Sequence, residues 1–208
     1  MKTGWATGPG PLRDKVSARS QADYDRPKLH GLIFTTFRDF LTAQYGPAIA
    51  AGAFADQPVH VLTEAYPDED FSAAVRSACE LTGVEMEELV REFGVFAGET
   101  TFPRLYPAYF AVAGSARPFL LTVEDLIHEL VRATIPKAAP PRLDVTPLGE
   151  DGVTVEYSSP RKLCSLLHGL VEGTARHYGE GVQSEEPSCM RRGDPICRFE
   201  FRFSAPVA

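Results

Sequence analysis

The sequence lacks several features that define other classes of protein. In its 208 residues no apolar run approaches the roughly 20 residues of a membrane-spanning helix. The first residues show no basic, apolar and small-residue pattern of a secretory signal, so a cytoplasmic protein is expected. Positive charge is scarce: 21 Lys and Arg against 28 Asp and Glu argue against nucleic acid or an anionic membrane surface as a partner. Only four cysteines are present, which favours thiols or a metal site over a disulfide framework.

The chain divides into a polar N-terminal segment and a long folded region. Residues 1–28 are rich in Gly, Pro, Ser and charged residues, and this composition predicts a flexible extension. Helical periodicity then predicts helices at about 29–45, 47–54, 70–82, 85–98, 119–135 and 160–178. Segment 102–110 is aromatic and broken by prolines, and it is expected to supply core aromatics at a junction between lobes.

The second half of the folded region predicts a sheet. After a stiff Pro-rich connector at 136–141, strands are predicted at 143–148, 153–157, about 181–186 and 197–203. This order predicts an α+β fold. A helical N-terminal lobe would span about 29–98, and a C-terminal lobe with a four-stranded antiparallel sheet would span about 99–204.

A polar segment between a predicted strand and a predicted helix is the strongest candidate for a binding site. Ser159 followed by Pro160 is typical of a helix start, so Tyr157, Ser159 and Arg161 are expected beside the positive end of a helix dipole. Such an arrangement suits a carboxylate or a phosphate. The alternative is an ordinary helix cap with a surface arginine.

His128 lies on the predicted helix 119–135, away from its main apolar stripe. The stripe consists of Val123, Leu126, Ile127, Leu130 and Val131. At about 100° per residue, His128 points instead to a second apolar face, which indicates either a ligand or a satisfied core histidine. Three other histidines have no identifiable partner and are expected at the surface: His30, His60 and His177.

Together these features resemble the haem nitric oxide/oxygen binding (H-NOX) domain, which is also the sensor of soluble guanylate cyclase. The resemblance is carried by Gly31, His128, Pro141 and the motif Tyr157-x-Ser159-x-Arg161, and it covers about 175 residues. The motif alone is common, but its combination with a histidine 29 residues upstream and an intervening Pro-Pro pair is specific. The resemblance implies a non-catalytic domain that holds haem b between its two lobes.

The resemblance also implies roles for individual residues. His128 corresponds to the proximal ligand of the haem iron. The Tyr-x-Ser-x-Arg motif corresponds to a clamp for the haem propionates, and Pro141 to the residue that presses on the porphyrin and distorts it. On the opposite side, the distal pocket is expected to be lined by Ile33, Phe37 and Leu166.

Leu166 is the residue from which the resemblance implies which gases the haem binds. Oxygen-binding members of the family stabilise bound O2 with a distal Tyr hydroxyl, and Leu166 occupies the matching position here. A ferrous five-coordinate haem that binds NO and CO but not O2 is therefore expected. The resemblance further implies that NO weakens the bond to His128 and relaxes strain between the lobes. A separately encoded histidine kinase, cyclic-dinucleotide enzyme or chemotaxis protein would detect the change.

Three cysteines match, in spacing, a structural zinc site of some bacterial H-NOX proteins. Cys164, Cys189 and Cys197 would supply three ligands of a tetrahedral ion. The family's fourth ligand is a His, but this chain has Glu186 at that position; His168, four residues after Cys164, is the other candidate. The competing interpretation is three free thiols. It leads to an alternative function, a thiol/zinc redox switch in which haem is secondary.

Overall fold

The computed structural model describes residues 28–135 and 138–205, and the structural statements below concern these residues. The predicted N-terminal extension, apart from Lys28, and the first two residues of the predicted connector lie outside them.

Helices dominate the first part of the described chain and strands the last part. In chain order the elements are β1 (Lys28–His30), α1 (Gly31–Tyr45), α2 (Pro47–Ala53), β2 (Ala65–Pro67), α3 (Asp68–Thr82), α4 (Met86–Phe96), α5 (Phe102–Leu105), α6 (Pro107–Ala113), α7 (Ala116–Val123), α8 (Glu129–Thr134), β3 (Arg142–Leu148), β4 (Gly152–Ser158), α9 (Cys164–His177), β5 (Gly181–Ser188) and β6 (Cys197–Ser204). Two five-residue π-helical turns join α4 to α5 (Ala97–Thr101) and α7 to α8 (Glu124–His128).

The last four strands form one antiparallel sheet in the order β3-β4-β6-β5. Along β6 the odd-numbered residues Cys197, Phe199 and Phe201 are buried, as the period of two predicts. The α+β prediction is therefore confirmed. A second sheet, formed by the three-residue strands β1 and β2, was not predicted because neither strand is long enough to show a period.

Two hydrophobic clusters correspond to the two lobes. The first is built from α1 to α4 and contains the fully buried aromatics Phe34, Phe37 and Phe93. The second lies on the sheet and includes Val155 and Phe201. Helix α9 contributes to both clusters, because consecutive leucines at 166 and 167 point to different sides. Helix α9 is therefore shared by the two lobes, and Phe102 of α5 also packs against both clusters.

Helix α9 packs unusually close to α4 through two pairs of glycines. Gly169 and Gly173 face Gly94 and Gly98, each pair being four residues apart and therefore on one side of its helix. A Cβ added at Gly169 would lie 2.0 Å from the carbonyl oxygen of Arg91, so the contact requires glycine. This backbone-to-backbone contact fixes α9 to the helical lobe.

The start of α9 differs from the prediction. The helix begins at Cys164, not at Pro160, because Lys162 takes a left-handed conformation with φ of 50°. Ser159 does not cap the helix: its Oγ accepts from the backbone N–H of Arg161 at 3.3 Å, and its carbonyl accepts from Lys162 at 3.1 Å. The polar motif thus lies in a tight turn before the helix.

Candidate functional site

A largely apolar pocket that is partly open to solvent lies between the two lobes. Its walls come from β1, α1, the 102–106 segment, the α7–α8 helix, the start of β3, β4 and α9. Both hydrophobic clusters contribute, for example Leu120 and Leu167 from the second and Leu166 from the first. A planar apolar group with one polar edge suits such a cleft.

The π-helical turn brings His128 onto the pocket wall. In this turn the N–H of Glu129 bonds to the carbonyl of Glu124, five residues back, so that residues five apart share a face. Val123 and His128 consequently both line the pocket. This corrects the predicted apolar stripe: Leu126 and Leu130 are not on a buried face but are 44% and 43% exposed.

His128 is oriented by a carboxylate on its own helix. Its Nδ1 donates to Oε2 of Glu124 at 2.8 Å. A carboxylate only accepts, so the proton is assigned to Nδ1 and the lone pair of Nε2 is the one available to a metal. Burial lowers the pKa of His128, and Glu124 opposes that shift. Burial would raise the pKa of Glu124, but bonds from Arg132 and His128 leave it below its ordinary value.

Arg161 lies at the rim where the lobes meet, and its side chain is only 9% exposed. Its Nε donates to Asp68 of α3 at 2.7 Å, and its two terminal nitrogens donate to the carbonyls of Ala139 and Lys28 at 2.5 and 3.1 Å. Burial raises the pKa of Asp68 while Arg161 opposes the shift. Three of the five guanidinium N–H groups are thus engaged by protein, which leaves two for a further acceptor.

Tyr157 and Ser159 place two hydroxyl groups beside Arg161 at the same edge of the pocket. The Tyr157 oxygen accepts from the backbone N–H of Leu163 at 3.1 Å, and Ser159 Oγ accepts from a backbone N–H as well. Ser159 also hydrogen-bonds to the Tyr157 hydroxyl, so the Tyr157 O–H is the donor left for a further acceptor. The pKa of Tyr157 is raised, chiefly by burial. The predicted motif therefore converges on one edge.

The other predicted pocket residues divide into those that line the pocket and one that does not. Pro141, Ile33 and Leu166 line it. Phe37 does not: it is fully buried inside the helical lobe, where its ring contacts those of Phe71 and Phe93 at 5.4 and 5.1 Å. Phe37 lies one turn of α1 beyond Ile33 and packs into the first hydrophobic cluster instead.

Tyr106 is a pocket residue that the sequence interpretation missed. It lies between α5 and α6, lines the pocket and contacts the rings of Phe102 and Tyr109. Burial, with Tyr109 adding a smaller effect, raises its pKa. The aromatic 102–110 segment was expected only to fill a core, although a Tyr among Phe residues is a signal that a hydroxyl group is present.

The three predicted zinc cysteines lie together at the start of α9 and the turn between β5 and β6. Their sulfur atoms are 3.2, 3.8 and 3.9 Å apart, and all three side chains are buried: Cys164, Cys189 and Cys197. A carboxylate oxygen of Glu186 joins them, with all four donor atoms within 4.8 Å of one another. Tetrahedral zinc with bonds of about 2.3 Å separates its sulfurs by about 3.8 Å, so two of the three distances already match.

The structure does not place His168 in the cysteine cluster, so Glu186 is the candidate for a fourth ligand that lies with the cysteines. Its Nε2 is 2.7 Å from Ser184 Oγ, and its ring is stacked near Phe199 and Phe201. Burial raises the pKa of Cys164 and, with a contribution from Glu186, that of Cys189, so an incoming ion must displace protons.

His60, expected at the surface, is buried in the helical lobe and only 7% exposed. Its ring stacks on Phe34 with centroids 4.1 Å apart and meets the ring of Tyr66 edge-on at 4.4 Å. Neither ring nitrogen has a hydrogen-bond partner among the residues described. Burial, with a smaller effect of Arg38, lowers its pKa to about 4, so the ring is neutral at pH 7.

The fold and the pocket define a two-lobed domain built to enclose a haem. The chain belongs to the haem-NO-binding family, whose model matches residues 30–186, and it is an H-NOX domain, a haem-binding gas-sensor domain. An oxygen-binding H-NOX domain related to soluble guanylate cyclases is similar in structure, with 26% identity and a TM-score of 0.76 over 86% of this chain and 97% of that chain.

Two further H-NOX structures share the fold at lower identity. An H-NOX protein from S. oneidensis in the Fe(II)NO state is 22% identical, with a TM-score of 0.77 over 85% of this chain and 100% of that chain. An unliganded Fe(II) mutant from K. algicida is 20% identical, with a TM-score of 0.74 over 86% and 98% of the two chains. Comparison with curated proteins gave no significant match. Among the described residues, no helix has the length and apolar character needed to cross a membrane.

The residues present fit a haem. The free lone pair of His128 Nε2 suits iron, and the apolar walls suit the porphyrin faces. At one edge, the Tyr157 O–H and the remaining guanidinium N–H groups suit carboxylates such as the propionates. These features come from side chains already held in place by protein contacts.

Proposed function

We propose that this domain is a non-catalytic sensor that binds NO and CO, but not O2, at a ferrous haem b ligated by His128, with the Tyr157–Ser159–Arg161 edge holding the propionates. The observation that carries the proposal is the position of His128 on the wall of an apolar pocket, with its Nδ1 proton tied to a carboxylate. When bound, haem supplies an iron that takes diatomic gases as ligands. The protein residues decide which gas is retained.

Leu166 supports the exclusion of O2. It lines the pocket, is 8% exposed and offers no hydrogen-bond donor to a bound gas. Bound O2 carries partial negative charge and loses stabilisation without a donor, whereas NO does not depend on one. Tyr106 is the pocket hydroxyl to test, because its O–H is a donor within the same cavity.

The first experiment is absorption spectroscopy of the purified, reduced protein. NO should move the Soret band to a shorter wavelength, which indicates that His128 has left the iron. His128→Ala should abolish the ordinary five-coordinate ferrous spectrum, while His177→Ala, an exposed histidine near the end of α9, should retain it. A stable ferrous–oxy spectrum in air would contradict the proposed selectivity. Loss of that spectrum in Tyr106→Phe would then assign the donor.

Signalling is proposed to pass through contacts between the lobes. Release of His128 would relax strain held by its helix and by Pro141, and Arg161 is the polar contact between β1, α3 and the turn before α9. The effector is proposed to be a separately encoded histidine kinase, cyclic-dinucleotide enzyme or chemotaxis protein in the cytoplasm. Partner proteins should co-purify with the NO-bound and NO-free forms to different extents.

The cysteine cluster supports a second proposal, a structural zinc ion held by three cysteines and Glu186. Glu186 also accepts from Arg192 at 2.8 Å, so zinc would compete with this ion pair. Metal analysis should find about one zinc per chain, with Cys197→Ser losing it and Cys79→Ser, outside the cluster, keeping it. Less than about half an equivalent in the native protein would count against the site.

The thiol/zinc redox switch remains the alternative function. The same cluster favours it, because an external two-electron oxidant could join two of the three closely spaced sulfurs in one disulfide and so remove two ligands from the metal. Oxidation that releases zinc and changes partner binding in the absence of NO would support this alternative over gas sensing.

A further inference from the structure

Glu124 is the centre of a hydrogen-bonded network around His128. Its Oε2 accepts from His128 Nδ1 at 2.8 Å and from the backbone N–H of Leu143, at the start of β3, at 3.3 Å. Its Oε1 forms an ion pair with Arg132, eight residues further along the chain. The carboxylate is therefore fixed from three directions, and its side chain is 26% exposed.

This geometry has a direct consequence for His128 as a ligand. A carboxylate that accepts the Nδ1 proton draws the ring toward imidazolate character and makes Nε2 a stronger electron donor. It also holds the ring at one angle, because the hydrogen bond and the helix backbone fix the imidazole at two points. Both effects oppose loss of His128 from a metal.

The same carboxylate is connected to Pro141. Arg132 donates to the carbonyl oxygen of Pro141 at 3.3 Å while it is paired with Glu124. Arg132 thus neutralises part of the charge of Glu124 and connects Glu124 to Pro141, another residue that lines the pocket. The strength of the bond between Glu124 and His128 depends on how much of that charge Arg132 neutralises.

We propose that Glu124 is a positioning residue that sets how firmly His128 is held on the haem iron, and thereby how readily NO releases it. The proposal rests on the proposed function, since it concerns the same histidine. With Glu124 charged, His128 leaves the iron slowly after NO binds. Neutralising the carboxylate increases the rate of this release. Carboxylate partners of metal-bound histidines change metal affinity or activity by about 10- to 100-fold when removed, so about a 10-fold faster release is expected.

The test compares Glu124→Gln with Glu129→Gln. Glutamine keeps the shape of the side chain and removes its charge. Glu129 is an exposed carboxylate next to His128 on the same helix and serves as the charge-matched control. Two quantities are measured on the reduced haem protein: the iron–His128 stretching frequency by resonance Raman spectroscopy, and the rate at which the Soret band moves after NO is added.

The expected result is a lower stretching frequency and about a 10-fold faster Soret change in Glu124→Gln, with Glu129→Gln equal to the native protein. Arg132→Gln should raise the stretching frequency, because Glu124 then keeps its full negative charge. A merely structural defect would not produce this opposite sign. The variant also keeps the proposal testable if Glu124→Gln folds poorly. Native frequencies in both Glu124→Gln and Arg132→Gln would overturn the proposal while leaving haem sensing intact. Failure of the native protein to take up haem would overturn the proposed function itself.

Discussion

Replacing Gly169 by Ala should destabilise the fold through one clash between α4 and α9. The added Cβ would lie 2.0 Å from the carbonyl oxygen of Arg91 and 3.0 Å from the Cα of Gly94. Both are backbone atoms of α4, so no side-chain rotation relieves the contact. The helices would have to separate by about 1 Å, and that separation would open the packing along the whole interface.

The magnitude follows from two opposing effects. Alanine is favoured over glycine inside a helix by about 1 kcal/mol. Overpacking costs about 1–3 kcal/mol where neighbours can adjust, and a backbone neighbour places Gly169→Ala at or above the upper end. The net loss in the free energy of unfolding is therefore about 2 kcal/mol or more. For a domain of this size that loss corresponds to a fall in Tm of about 4–8 °C.

The assay is thermal unfolding followed by circular dichroism, with Gly52→Ala as the matched control. Gly52 lies inside α2, and a Cβ there would meet only Cδ1 of Leu81, the end of a flexible and half-exposed side chain, at 2.8 Å. Gly52→Ala should therefore leave Tm unchanged or raise it slightly. If Gly169→Ala unfolded at the native Tm as well, the close backbone contact between α4 and α9 would be refuted.

Two other substitutions test buried polar groups. Asp68→Asn should lower the free energy of unfolding by about 1–2 kcal/mol, since it leaves the nearly buried Arg161 without its anion; in a double-mutant cycle with Arg161→Met the losses should not add. His60→Leu should make the free energy of unfolding less sensitive to acid. The pKa of His60, about 4, lies below that of a histidine in the unfolded chain. The free energy of unfolding of the native protein therefore falls as the pH drops from about 6.5 toward 4, by about 3 kcal/mol at most. Urea unfolding at pH 7 and 4.5 should show a smaller pH effect for His60→Leu; an equal effect would place the acid sensitivity elsewhere.

The sheet and the candidate site were predictable because their signals are local or strongly periodic. The alternation in β6 predicts which residues face the core, and the buried Phe199 and Phe201 confirm it. The motif around Ser159 was expected near a strand end, and its residues do meet at one edge of the pocket. Within this segment the start of α9 was misplaced, since a left-handed Lys162 is a conformation that propensity does not predict.

The environment of His128 was not predictable, because helical periodicity assumes a constant turn. The π-helical turn adds one residue between hydrogen-bonded partners, which rotates the following helix and turns Leu130 outward. The same limit explains His60, which follows no periodic element and is buried by tertiary contacts alone. In contrast, the spacing of Gly94 and Gly98 does predict a close contact, because small residues four apart lie on one side of a helix and leave room for a neighbouring backbone.

Helix α9 explains why the pocket and the lobes are mechanically connected. Its glycines hold it against α4 by backbone contact, so it cannot slide there without losing that packing. Its first turn follows directly after the motif that ends at Arg161, whose donors reach β1 and α3. A carboxylate bound at this edge would lie against Arg161, three residues before the first residue of α9. We expect displacement of such a group to reach the helical lobe through the hydrogen bonds that Arg161 makes with β1 and α3.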